Sequence, residues 1–480
     1  MCETVAECPG GISACENGQC CVAGFEAPAF CRVFGQVELP CCGAAVCGPG
    51  AVASCCLPGG EACTTDATCC SGSCVDGICQ ASALAPVVPL ASGVRGSGEI
   101  ALSADRSGFL AAYVEAEEPD ATRVLGRWLA ANGQPSVAQP VVIASRADLE
   151  TPEAPGAPRF HTLGAAFAGG LHQLSWRSYR ALGGVLDEVL VLARGIAPGA
   201  TAPLPFSTLF SEVAFSMCPS NATGPLALAG RGDEVLMLWA KLRGCLTSVP
   251  IFVGEVTMHL GRVVGGGVVD LPIDPPFVFP SWLEAAESLT SASASLASRD
   301  GDALGVFVPK RVGPFGGQLV GVWAVGDQAT RQTFSENAGH PAVASDGSGY
   351  LVAWQSPGSG PGGADELRAA RFVTGEVRLE PTDGVVLGSA SGIRHVRAVG
   401  VAPDRYLLVH EEVTAGGVSR LAVSRIATDG GIRVLSRQES AIPGDGEVLG
   451  VQLAANGLSV LALVARRDGA ETYALTVAPL

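Results

Sequence analysis

Lysine is nearly missing from the 480 residues. Lys241 and Lys310 are the only two, the other cations being arginine, which reads as a GC-rich coding bias. Positive charge is scarce altogether, with a net charge of -16 and a pI of about 4.8. Phosphate backbones and anionic bilayers reward clustered cations, so composition argues against nucleic acid and anionic membrane surfaces as partners. No apolar run approaches the roughly 18 residues of a spanning helix. The chain is therefore expected to be soluble or anchored by one end. It opens Met1-Cys2 with neither a basic n-region nor an apolar h-region, so the expectation is a leader removed or missed at the gene start. What is present is a large apolar fraction, 48%, enough for a sizeable core.

Cysteine is distributed very unevenly: sixteen of eighteen lie between Cys2 and Cys79, with doublets such as Cys20/Cys21 and Cys69/Cys70. A segment this short and glycine-rich cannot offset its chain entropy by burial. Disulfides, each contributing roughly 2 to 4 kcal/mol, and an oxidising compartment are expected. Zinc is the weaker alternative, because vicinal cysteines suit it poorly and the segment has no His. A lipid anchor at Cys2 is a second alternative to free secretion, although it would leave an odd number of cysteines in the cluster. The run CLPGGEACTTDATCCSGSCVDGIC from Cys56 to Cys79 has the spacing C-x6-C-x5-CC-x3-C-x4-C. It resembles the inhibitor cystine knot (knottin) family of toxins and protease inhibitors. That resemblance implies the pairs Cys56 to Cys70, Cys63 to Cys74 and Cys69 to Cys79.

Beyond residue 97 a different pattern repeats. PAVASDGSGYLVAWQ from Pro341, followed by DELRAARFVTGEVRLEPTDGVVLGS to Ser389, reads as four short strands in about 50 residues, one blade of a β-propeller. Copies begin near Ile100, Leu163, Leu226, Ser293, Val399 and Val451. The expected fold is all-β: a seven-bladed propeller, six or eight blades being the alternatives, over residues 97–480, behind a small disulfide-rich domain over 1–80. Residues 81–96 form a linker whose LAPVVPLAS supplies the strand that the last copy lacks, closing the ring and removing its open edges. Tyr113, Trp176, Trp239 and Trp354 recur near the ends of second strands and read as apolar plugs between blades. The layout resembles secreted bacterial propeller proteins bearing DGxxYLVxW-type repeats, a likeness that supplies no ligand.

On one face the turns are tight, as at Asp346-Gly347 and Asn456-Gly457. On the other the loops are long, as at Arg146 to Phe160 and Asp274 to Ala292, which marks the expected ligand surface. Cys218 and Cys245 fall in two loops of one blade there and are expected to bridge. His161, His340 and His395 each precede a first strand, with Glu99, Arg394 and Glu447 nearby. Gathered at the channel mouth they would hold a polar ligand or a metal; scattered loop positions inherited with the repeat are the alternative. Arg127, Arg194, Arg371 and Arg425 recur on third strands and read as strand positions that snorkel or form salt bridges.

Signals of catalysis are few. Gly358 to Gly363 satisfies G-x-G-x-x-G but lies between strands, Arg231-Gly232-Asp233 falls in a tight turn, and His410-Glu411-Glu412 lacks a zincin's second His. There is no G-x-S-x-G elbow, and SDGSGYLVAW lacks the spacing of the S-x-D-x-G-x-x-W box. First strands are small and apolar, as a crowded axis requires. The reading is a secreted or cell-surface bacterial protein, monomeric and without cofactor, catalytic residue or metal. Its propeller would bind a glycan or an extracellular protein, in adhesion. The alternatives are an inhibitor or toxin-like knot carried by a propeller, and a propeller hydrolase or lyase using the histidine mouth.

Overall fold

The computed structural model describes residues 87–479 apart from 96–97, 119–120, 146–158, 183–185, 216–220, 223–226, 244–253, 265–266, 280–292, 300, 309–316, 327, 415, 443–445, 458 and 470–471, together with seven short strands before residue 80. Two units separate by chain packing. One holds residues 1–84 with 424–427 and 433–438. Its N-terminal strands are β1 (Ser13–Glu16), β2 (Gln19–Val22), β3 (Phe30–Val33), β4 (Val46–Cys47), β5 (Val52–Cys56), β6 (Cys74–Val75) and β7 (Ile78–Cys79). β1 pairs with β2, β5 lies between β3 and β4, and the β6–β7 hairpin sets the backbone of Cys74 opposite that of Cys79. The side chains of the knot cysteines, and Cys218 and Cys245 altogether, lie outside the described residues.

The other unit covers residues 85–423, 428–432 and 439–480. It begins with β8 (Val88–Arg95) and continues as antiparallel sheets in a propeller arrangement. In the first sheet β9 (Ile100–Asp105), β10 (Gly108–Glu118), β11 (Ala121–Leu129) and β12 (Val141–Ala144) follow in order, as do β13 (Arg159–Ala168), β14 (Leu171–Leu182), β15 (Leu186–Ile196) and β16 (Ser207–Phe215) in the next. A third holds β17 (Asn221–Ala222), β18 (Ala227–Arg231), β19 (Glu234–Arg243), β20 (Gly254–Val264) and β21 (Gly267–Phe279), with β17 and β18 both on β19. Next comes a seven-stranded sheet of β22 (Ser293–Arg299), β23 (Asp302–Val308), β24 (Gly317–Val325), β25 (Gln328–Ser345), β26 (Tyr350–Ser356), β27 (Asp365–Val373) and β28 (Arg378–Ala390). The long β25 serves twice, pairing with β24 through its first half and with β26 through Gly339 to Ser345. β29 (Gly392–Ala402), β30 (Arg405–Val413), β31 (Ser419–Ala427) and β32 (Arg433–Ala441) form another sheet. In the last, β33 (Val448–Ala455), β34 (Val460–Arg467) and β35 (Thr472–Pro479) are joined by β8 as the outer strand.

The innermost strands β9, β13, β18, β22, β25, β29 and β33 are neighbours in that order, and β33 returns to β9. Their small residues follow from crowding. A Cβ on Gly230 would lie 1.9 Å from the Phe167 carbonyl, and one on Gly400 2.1 Å from the Ser345 carbonyl. Second strands are covered on both faces by adjoining sheets, so β23 and β26 read as continuous apolar runs rather than alternating ones. Outer strands such as β32 are largely exposed and polar.

Apolar plugs and polar clips join the sheets. Trp176, Trp239 and Trp354 are fully buried, and Trp354 packs with Leu304 and Phe334 of the preceding strands. Arg127 donates to the Leu90 carbonyl of β8, and Arg194 to the Ile143 carbonyl of β12. These arginines tie a third strand to the outer strand of the sheet before it. Turn aspartates do the same near the axis. Asp346 Oδ1 accepts from Ser348 and Gly349 N–H groups while its Oδ2 accepts from Asp404 N–H at 2.6 Å. Burial alone would raise the Asp346 carboxyl, but these hydrogen bonds outweigh it and hold it below its ordinary value.

Candidate functional site

The inner strands enter the ring through a shared irregularity. Pairing with the second strand lapses between His161 and Gly164, between Gly339 and Ala342, and between Arg394 and Arg397. Inside each gap one residue is left-handed: Thr162 (φ 51°), His340 (φ 45°) and His395 (φ 50°). Such a conformation costs a non-glycine residue roughly 1 to 3 kcal/mol and persists only where surrounding structure enforces it. His340 and His395 occupy the same bulge in successive repeats, and their rings stand 5.7 Å apart. In the β13 repeat the equivalent place belongs to Thr162. His161 lies one residue earlier, its backbone opposite Arg177, and its side chain is outside the described residues.

The environments of these residues differ. His395 Nε2 lies 3.2 Å from the Val448 carbonyl and 3.8 Å from Glu411 Oε2. Burial, then the charge of Arg397 and the adjacent His340, pushes its imidazole down to about 3. It is neutral at physiological pH. Glu99 is turned to the next inner strand, where its carboxylate accepts from the Leu163 and Thr162 N–H groups. Burial still raises it above the ordinary carboxyl range. That makes it a clip between sheets.

Arg394 and Glu447 both line an open cleft of about 1150 Å³. Its walls come from the start of β29, the end of β30, the turn into β31 and the link from β32 to β33. Glu411, Ser419, Arg420, Glu439 and Arg466 complete its polar lining. Glu411 is the unusual member. It is 1% exposed, Ser419 Oγ donates to its Oε1 at 2.5 Å, and its Oε2 has no hydrogen-bond partner among the described residues. Burial pushes its carboxyl above the ordinary range, and the charge of Glu447 adds to the rise against the pull of Ser419 and Arg394. A carboxyl biased by burial toward its protonated form, with a second carboxylate in the wall of the same cleft, is a general acid-base pair in kind.

The sequence names Arg394 and Glu447 as neighbours of the histidines and does not single out Glu411 for this cleft. The signal lies in HEE at 410–412, three titratable residues where the β26 repeat has WQS at 354–356, which the sequence reading takes only as an incomplete metal motif. Arg397 was also missed, because the repeat was read from Val399, two residues past it. The long loops expected to carry the ligand surface are mostly outside the described residues.

No family model matches the chain, and no curated protein matches it. Solved structures do. A Trypanosoma rangeli sialidase bound to sialic acid aligns with a TM-score of 0.44 and 9% identity over 83% of this chain and 59% of that one. The endosialidase of phage phi92 aligns at 0.42 and 9%, over 84% and 70% respectively. An N10 neuraminidase-like protein of a bat influenza A virus aligns at 0.39 and 7%, over 83% and 98%. The chain thus spans about three-fifths of the trypanosomal enzyme's length. These neighbours correct the reading of a non-catalytic binding or adhesion protein and the expectation that the chain is not an enzyme. That reading is withdrawn.

Proposed function

We propose that the chain is a seven-bladed propeller hydrolase that cleaves a glycan in the cleft between the β29–β32 sheet and the sheet closed by β8. The observation that carries this is Glu411: a buried carboxyl with one unpartnered oxygen, raised toward its protonated form, in the wall of a cleft shared with Glu447. Glu411 serves as the acid that protonates the leaving oxygen, its proton routed through the Ser419 hydroxyl. Glu447, exposed in the wall of the same cleft, orients the attacking water, as paired carboxylates do in glycoside hydrolysis. Arg394 and Arg466 line the same cleft and suit an anionic sugar.

A count of seven blades is supported by the closed circuit of inner strands and by the double use of β25. The cysteine spacing supports residues 1–80 as a disulfide-rich, knottin-like module of a secreted bacterial protein, with 81–96 as the linker and 97–480 as the propeller. The test is turnover of fluorogenic glycosides, sialosides included, by the full chain and by Glu411→Gln. Hydrolysis of at least one substrate, lost in the variant while its unfolding midpoint is kept, is the expected result. Absence of turnover on every substrate, or full activity of the variant, overturns the proposal.

A further inference from the structure

The long wall of the cleft is one row of strand ends. Arg394 stands opposite Glu411 across β29 and β30, Ser419 of β31 donates to Glu411, and Arg420 of β31 reaches Glu439 of β32 at 2.7 Å. Lining residues thus come from all four strands of the β29–β32 sheet. Neighbouring strands lie about 4.8 Å apart, so the row runs roughly 14 Å from the innermost strand to the outermost. The cleft's volume of about 1150 Å³ stands above the roughly 300 to 1,000 Å³ of small-molecule pockets. Glu411 is on the second strand of the row and not at its end: one strand lies inward of it and two lie outward.

The facing wall is shorter. It consists of Gly446, Glu447 and Arg466, from the link into β33 and the end of β34. The outer two strands of that sheet, β35 and β8, contribute no lining residue among those described. The cleft is therefore walled on both sides where the two carboxyl groups stand and on one side toward the rim. Nor is the rim shut. Val418, at the turn into β31, is 59% exposed, and the side chains of Arg420 and Glu439 are 49% and 39% exposed. A pocket for one terminal sugar would be closed there. This rim instead offers an apolar surface beside donors and an acceptor, the mixture that the CH face and hydroxyls of a sugar require.

We propose that the substrate is a glycan chain of several units, laid along the strand ends and cut at an internal linkage. The inference rests on the hydrolase reading of Glu411 and Glu447 and adds the substrate class. The unit inward of the cut lies by Arg394, and the units outward of it rest on Val418, Arg420 and Glu439. At the cut the anomeric carbon parts from the bridging oxygen, which takes the Glu411 proton, while the oxygen of water joins that carbon and a water proton passes to Glu447. Two shorter chains leave, in place of one sugar released from an end.

The experiment has two readouts on one set of immobilised and free glycans, graded from monosaccharide to hexasaccharide in sialylated, uronate-bearing and neutral series. Binding is measured with the full chain carrying Glu411→Gln, and digestion by the unaltered protein is followed by the mass of its early products. Affinity is expected to rise roughly 10-fold or more from monosaccharide to trisaccharide in at least one series, and internal fragments are expected among the first products. Adding Val418→Asp at the exposed rim should remove most of that rise. Equal binding of short and long glycans, or release of monosaccharide alone, overturns the internal cut and leaves the hydrolase reading standing. Length-dependent binding with no turnover of any glycan overturns the hydrolase reading and the cut with it, and no binding in any series overturns the proposal. Should Glu411→Gln not fold, the product masses from the unaltered protein decide it.

Discussion

Strands β25 and β26 and their successors β29 and β30 are copies of one pattern put to different use. The first pair reads PAVASDGSGYLVAWQ, with Ala342 on the axis, Trp354 as a buried plug and Gln355 after it. The second keeps the left-handed bulge histidine and the buried tyrosine, Tyr406 for Tyr350. It sets Arg397 at the axis, His410 in the tryptophan's place and Glu411 after that. The strands and their packing survive these exchanges because the backbone pairing carries them. Polar groups have been admitted where a repeat needs only volume, and each brings a desolvation cost that packing does not return. In a propeller, function is to be sought where one repeat departs from its siblings in polarity at an inward position.

The largest effect should come from erasing that departure. Glu411→Gln gives the second copy the residue of the first and is expected to lower glycoside turnover by roughly 10²- to 10⁴-fold. Since burial raises the Glu411 carboxyl, the activity of the unaltered protein should persist above the ordinary carboxyl range and fall as pH rises through the shifted value. A profile that instead climbs through neutral pH would assign Glu411 no acid role. On the other copy, Trp354→Ala removes a plug and should cost about 3 to 5 kcal/mol in urea unfolding; a change under 1 kcal/mol would mean the sheets do not rely on it.

The bulge histidine gives a third, intermediate test. His395 is held neutral in the folded chain down to about 3, whereas its unfolded value is about 6.5. Between these limits the unfolded state binds the extra proton, so stability is intact above about 6.5 and declines as pH falls toward 3. His395→Asn keeps a residue tolerant of positive φ and should remove on the order of 2 to 4 kcal/mol of that acid-dependent loss. Unaltered pH dependence in the variant would place the sensitivity elsewhere. The smallest effect is expected at the cleft rim. Arg420→Ala breaks an exposed 2.7 Å pair with Glu439 and should change stability by less than about 1 kcal/mol.

Much of the propeller was legible because the determinants are local and repeated: Asp-Gly turns at hairpins, apolar second strands and small first strands. The aromatic plugs were legible for the same reason. The cleft was less so. Arg394 on β29 and Glu447 in the link to β33 share a cleft only through the fold of the ring, and Glu411 lies in a buried strand where its one mark in sequence is the departure of HEE from the sibling repeat. A one-residue difference in where the chain turns left-handed put Thr162, not His161, in the place that His340 and His395 hold. Sequence spacing alone does not resolve a bulge.

The seam of the ring has a consequence in time. Gly93 donates to Asp468, 375 residues later, and Tyr473 donates to the Val114 carbonyl across a similar span. During synthesis β8 emerges early and has no partner until the last strand is made, so every other sheet can form while the circle stays open. An unpaired strand in that interval is a template for another chain, and Pro89 within β8 denies it one main-chain donor. Pairing of β35 with β8, rather than any earlier collapse, is therefore the event that converts a curved stack of sheets into a closed ring.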